Sequence, residues 1–90
     1  MSEQDANKFL EEVNNWNLDG DSRLERTFLF KNFQEALNFV NKVGAVAESE
    51  GHHPNIHLFD YKKVKIELYT HSIGGLSEND FILAARINEL

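Results

Sequence analysis

The sequence predicts a two-layer α+β domain, a four-stranded antiparallel sheet with helices on one face, in the order α-β-β-α-β-β-α. Three observations carry this. Apolar residues recur with a period near 3.6 over three segments, alternate with period two over four short runs, and are separated by turn-forming residues where one period gives way to the other. Ninety residues bury one modest core, so residues 1–90 are read as a single domain.

Ser2 and Asp5 have the spacing of a helix N-cap pair, and Ala6, Phe9, Leu10 and Val13 follow at helical intervals. A helix over residues 3–14 is expected. Asp19-Gly20, inside "WNLDGDS", is a turn signal between Trp16 and Leu18 on one side and "RLERTFLF" on the other, which makes a hairpin. Leu24, Phe28 and Phe30 share one parity of its second strand; Arg26 shares it too, which places Arg26 near an edge or snorkelling. From Phe33 the period lengthens, and Phe33, Ala36, Leu37, Val40, Val43 and Ala47 form an apolar stripe that ends near Gly51. This is the longest predicted helix. After Pro54, "IHLFDYKKVKIELYT" reads as two strands turning near Asp60 to Lys62, with Val64, Ile66 and Leu68 toward the core and Lys63, Lys65, Glu67 and Tyr69 outward. His71 follows that outward parity, one step past the strand. Ser77 is a good N-cap with Asp80 at N3, and Leu76 can staple onto Phe81, which starts a last helix running to about Glu89.

Composition narrows the function. Nine basic against fifteen acidic side chains give a net charge of −6, which repels nucleic-acid backbones and anionic lipid. No direct nucleic-acid partner is expected. No run approaches the roughly 18 apolar residues of a membrane span, and the first residues lack a basic region leading into an apolar stretch. The expectation is a cytoplasmic protein with no membrane partner. Without cysteine there is no disulfide, thiolate or Cys-type zinc chemistry, and the sequence has no Gly-x-Ser-x-Gly elbow, phosphate loop or dinucleotide fingerprint. Histidine and carboxylate chemistry remain.

Three of the four histidines lie in "ESEGHHPNIH", and the fourth, His71, follows the last strand. Proline forces extended or turning backbone on the residue before it, so His52-His53-Pro54 cannot present the i, i+4 pair of a metalloprotease helix. A zinc site built from His52, His53, His57 and His71 stays open. Each residue also has an ordinary explanation. His52 and His53 can cap the last carbonyls of a helix, His57 can be a half-buried strand residue, His71 a solvated strand end, Asp80 a helix cap and Glu48 a solvated carboxylate. Taken together they suggest more, because antiparallel pairing of the last two strands brings the loop after the fourth strand beside the entrance to the third. An imidazole with an unperturbed pKa of ~6.5 offers both protonation states near neutrality, as general acid–base catalysis requires.

"E-x-x-x-H-H-P", then a strand ending "T-H", then "G-G-L-S-x-x-D", with Val-x-Ile-x-Leu between them, resembles the pterin-4a-carbinolamine dehydratase family over about residues 16 to 90. The resemblance implies an α+β fold with a four-stranded antiparallel sheet and a homodimer or homotetramer. It also implies dehydration of a 4a-hydroxytetrahydropterin to the quinonoid dihydropterin and water, in tetrahydropterin recycling, with no metal and no cofactor. By similarity, His52 and His71 transfer protons and His53 binds and orients the pterin with a share in the acid role. Glu48 and Asp80 match positions near the site that hold a histidine tautomer, and the backbone of Tyr69, Thr70 and Ser72 meets the pterin's amide edge. Gly51 belongs to the same substrate-binding stretch, where an acidic or amide residue is common. Ile56 stands in place of a frequent Trp, Ser72 in place of a frequent acidic residue, and "HLFDYKKV" is one residue longer than in some relatives. Some family members also act as dimerisation cofactors of transcription factors, which makes a protein-binding module the alternative.

Overall fold

The apolar spacing read from the sequence is realised in a computed structural model that describes residues 1–20 and 23–90. Helix α1 (Glu3–Leu10) starts at Ser2, whose hydroxyl accepts the Asp5 N–H at 3.1 Å. It is shorter than the predicted 3–14. The Glu12 and Val13 amides bond back only three residues, to Phe9 and Leu10, and Asn15 takes a left-handed φ of 70°, so the coil tightens and stops. Val13 still reaches the core.

Strands β1 (Asn17–Asp19) and β2 (Arg23–Leu29) form the predicted hairpin, with Gly20 in left-handed geometry at its turn. The rest of that turn, Asp21 and Ser22, lies outside the described residues. Helix α2 (Phe33–Glu50) is capped by Asn32 and ends at Gly51, whose φ of 64° is the left-handed geometry glycine adopts without penalty. Its buried face is Ala36, Phe39, Val43 and Ala47. The predicted stripe differs in missing Phe39 and including Phe33, which is 49% exposed in the first turn. Strands β3 (Asn55–Phe59) and β4 (Lys63–Leu68) follow, then a 3₁₀ turn at His71–Ile73 and helix α3 (Glu78–Asn88). No helix among the described residues is long and apolar enough to cross a membrane.

All pairings are antiparallel and the strand order is β1-β2-β4-β3. Alternation sends Leu24, Val64, Ile66 and Leu68 into one core with Phe39 and Val43 of α2 and Phe81, Leu83 and Ile87 of α3. Arg26 interrupts this face. It sits one step past the last β1 pairing, at Glu25, where the β1 side of β2 falls open. Its guanidinium lies over the Phe28 ring and donates to Asn88 Oδ1 at 2.6 Å; the same oxygen accepts the Trp16 indole N–H at 2.7 Å. Burial lowers the Arg26 pKa from its ordinary value. The stem packs and the charged head finds a polar acceptor.

The opposite face of the sheet is polar around Glu67, with Leu29 and Phe59 exposed at one end. Glu67 on β4 faces Glu25 on β2 in register, an unfavourable like-charge pair on its own. Basic groups surround it: His57 Nε2 lies 2.8 Å from Glu67 Oε1, Arg23 Nη1 is 3.4 Å from Oε2, and Lys65 Nζ is 3.3 Å from Glu25. His57 itself is exposed rather than half-buried, since β3 is an edge strand and this face is uncovered. The hydrogen bond with His57, then the charges of Lys65 and Arg23, hold the Glu67 carboxyl below the usual carboxylate range against the opposing effect of burial. A carboxyl whose folded pKa is depressed stabilises the fold above its unfolded pKa, ~4.3, and loses that contribution as pH falls through the lower folded value. Glu67→Gln is therefore expected to cost about 1.5 kcal/mol at pH 7, the low end for charge-assisted hydrogen bonds. Urea titrations should show the gap between wild type and variant closing below about pH 4. A gap that is constant from pH 7 to pH 3 would contradict the assignment.

Candidate active site

The end of α2 sets the first part of the site. Gly51 and His52 close it with backbone bonds, Gly51 N–H to Glu48 C=O and His52 N–H to Ala47 C=O, both 3.1 Å. This is the 5→2 and 6→1 pattern of a Schellman end. The helix carbonyls are thus capped by main chain, and the two imidazoles are released for other contacts. Reversal of the chain at Gly51 carries His53, not His52, alongside Glu48: His53 Nε2 lies 2.6 Å from Glu48 Oε1, with both side chains largely in solvent. His52 turns the other way, and its ring is mostly buried.

Its partner comes from the start of α3. Asp80 is completely buried, and its Oδ1 pairs with His52 Nε2. Oδ2 accepts the Ser77 backbone N–H at 2.9 Å, the return bond of an N-terminal capping box, and the Thr70 hydroxyl at 3.0 Å. Thr70 Oγ1 also lies 2.7 Å from Ser77 Oγ. A hydroxyl has one proton to give; with that of Thr70 directed to Asp80, Ser77 donates to Thr70. With Nε2 donating to the carboxylate, His52 leaves Nδ1 as its free nitrogen.

Thr70 fixes the third part. Its N–H donates to Gly75 C=O at 2.7 Å, and Gly75 returns a longer bond, so residues 70–75 close into a loop that holds the 3₁₀ turn beginning at His71. His71 and Ser72 are exposed, and the His71 ring packs on Tyr69 with centroids 4.2 Å apart. One carboxylate therefore unites the segment before His71, the segment after it and the end of α2. A cleft of about 130 Å³ beside His52 is lined by Glu50, Gly51, His52, Asn79 and Ile82, and His71 is not part of its wall. His52 and the segment that leads into His71 are linked through Asp80 and Thr70.

The predicted positions thus divide. His52, Asp80 and Thr70 come together directly; His53 and Glu48 form a second, solvated pair; His71, Tyr69 and Ser72 lie on the neighbouring loop. His57 stands apart, on the outer face with Glu67. Sequence reasoning gave Ser77 only a capping role and missed its hydroxyl bond to Thr70. The cue was faint, two alcohols seven residues apart, since they meet only once Thr70 and Gly75 pair.

The family model described as pterin 4 alpha carbinolamine dehydratase matches residues 1–90, so it takes in α1, which the motifs did not reach. The mitochondrial pterin-4-alpha-carbinolamine dehydratase 2 of Arabidopsis thaliana is 52% identical over 93 residues, covering 100% of this chain and 50% of that protein. A relative from Halorhodospira halophila, which bears the dehydratase name provisionally, is 50% identical over 91 residues, covering 100% of this chain and 83% of its own. The chain thus spans half the length of the plant relative and most of the bacterial one. Among solved structures, that of a "transcriptional coactivator/pterin dehydratase" from Brucella melitensis superposes with a TM-score of 0.90 at 32% identity, covering 99% of this chain and 95% of that one. A pterin dehydratase-like protein identified as a RuBisCO assembly factor in the alpha-carboxysome superposes with a TM-score of 0.69 at 26% identity, covering 84% and 88%. By sequence and by fold, this chain belongs to the pterin 4 alpha carbinolamine dehydratase family.

Proposed function

We propose that the protein dehydrates a 4a-hydroxytetrahydropterin to the quinonoid dihydropterin and water by histidine general acid–base catalysis. The observation that carries the reading is the Asp80 cluster, which anchors His52 at the same carboxylate that fixes the loop bearing His71. Loss of water from the carbinolamine needs a proton delivered to the 4a oxygen and one removed from ring N5–H, so two groups must act on opposite ends of one elimination. His52 and His71 are assigned these transfers. Orientation by Asp80 leaves the Nδ1 of His52 free to face substrate. His53, with Glu48 as its partner, binds and orients the pterin and shares the acid role. Gly51 and the backbone of Tyr69, Thr70 and Ser72 complete the substrate-binding surface. A cytoplasmic site of action in tetrahydropterin recycling belongs to the same reading.

Stopped-flow ultraviolet measurement of 4a-hydroxytetrahydropterin breakdown tests it. His52→Ala and His71→Ala should each lower the catalysed rate by about 10² to 10⁴, the size of general acid–base contributions, with the circular dichroism spectrum unchanged. Folded variants that keep wild-type rates would overturn the reading.

Protein binding is the second reading, favoured by the coactivator and assembly-factor descriptions of the two structural neighbours. It predicts that the histidine substitutions are silent and that charge reversals on an exposed helix weaken partner capture.

We also propose self-association through β3. It is an edge strand with a free row of backbone groups, and Leu29 and Phe59 flank Lys63 in one exposed row of the uncovered face. Sedimentation of the wild type should give a dimer or tetramer, and a Phe59→Lys substitution, which puts a charge into that exposed row, should shift it toward monomer. A wild type that sediments as a monomer at micromolar concentration would contradict this.

A further inference from the structure

We infer that Tyr69 is the positioning residue for His71, clamped in turn by Arg23; the inference rests on the reading of His71 as a proton-transfer group. After Leu68 the strand pairing ends and His71 lies in an exposed turn, so the main chain alone does not fix its ring. Among the described residues, the contact that holds the imidazole is aromatic: the Tyr69 ring, 4.2 Å between centroids and tilted by 50°. Tyr69 is itself covered on its ring by the Arg23 guanidinium, whose Cζ is 4.7 Å from the centroid. Arg23 reaches on to Glu67, largely buried beneath it and held by His57 and Lys65.

The arrangement follows from strand parity. Glu67, Tyr69 and then His71 continue one alternation along and past β4, while Arg23 opens β2 on the same face. A row of Glu67, Arg23, Tyr69 and His71 results, stiff at the ion pair and ending at the imidazole. Proton transfer is sensitive to misplacement, and an exposed histidine free to rotate spends part of its time in unproductive rotamers. Aromatic pairing and a cation over a ring are each of a size that shifts such a population by about two- to twelvefold. Tyr69 thus acts through His71 and takes no proton itself.

Three variants, Tyr69→Leu, Tyr69→Phe and Arg23→Met, and two readouts decide the matter. One readout is the His71 ring-proton chemical shifts in NMR, which sense the Tyr69 ring current without substrate. The other is kcat and KM for carbinolamine breakdown. In Tyr69→Leu the ring-current shift of His71 should vanish and kcat should fall about two- to twelvefold, with KM changing less. Tyr69→Phe keeps the ring and should restore both, and Arg23→Met should give an intermediate loss with the ring-current shift reduced. The inference is overturned if His71 shifts are the same in Tyr69→Leu as in wild type, or if Tyr69→Phe fails to restore kcat. Should His71→Ala retain the wild-type rate while the ring-current shift behaves as expected, the catalytic assignment of His71 falls, and the functional part of the inference falls with it.

Discussion

The buried carboxylate of Asp80 is the constraint on which the site depends. A carboxylate removed entirely from water must find donors for both oxygens, and Asp80 finds them on three segments of the chain. Thr70 comes from the exit of β4, Ser77 from the cap of α3, and His52 from the turn that closes α2. None of these contacts is local to one element except the cap. The carboxylate therefore sets how the two histidine-bearing loops sit against each other.

Different surroundings give the histidines different capacities. His52 is mostly buried and oriented by a carboxylate, His53 shares a solvated pair with Glu48, and His71 stands exposed against an aromatic ring. An oriented imidazole beside a more accessible one suits an elimination in which one proton is taken and another given. The small cleft beside His52, about 130 Å³, is lined by the end of α2 and the first turns of α3.

Much of the fold was legible because it rests on periodicity and caps. The switch from period two to 3.6 at Phe33, the Ser2 and Ser77 caps, and the outward set Lys63, Lys65, Glu67 all stand as read. What was not legible depends on contacts remote in sequence. Phe39 rather than Phe33 enters the core because the facing sheet, not the helix alone, selects which side of the stripe is covered. Glu48 lies one turn before His52, yet the left-handed Gly51 rotates His53 into its reach. Arg26, odd by pattern, is explained by Asn88, 62 residues away. Of the motif residues, His52, Asp80 and Thr70 meet directly, but which carboxylate pairs with which histidine needed the three-dimensional path of the chain.

The most direct test of the account is the protonation pattern of the His52 ring, read by ¹⁵N-labelled imidazole NMR at a pH where the ring is neutral. If Asp80 orients His52, the proton resides on Nε2, exchanges slowly with water, and loses that protection in Asp80→Ala. A ring protonated on Nδ1, or an Nε2 proton that exchanges as fast as in a free histidine, would contradict the account at its centre.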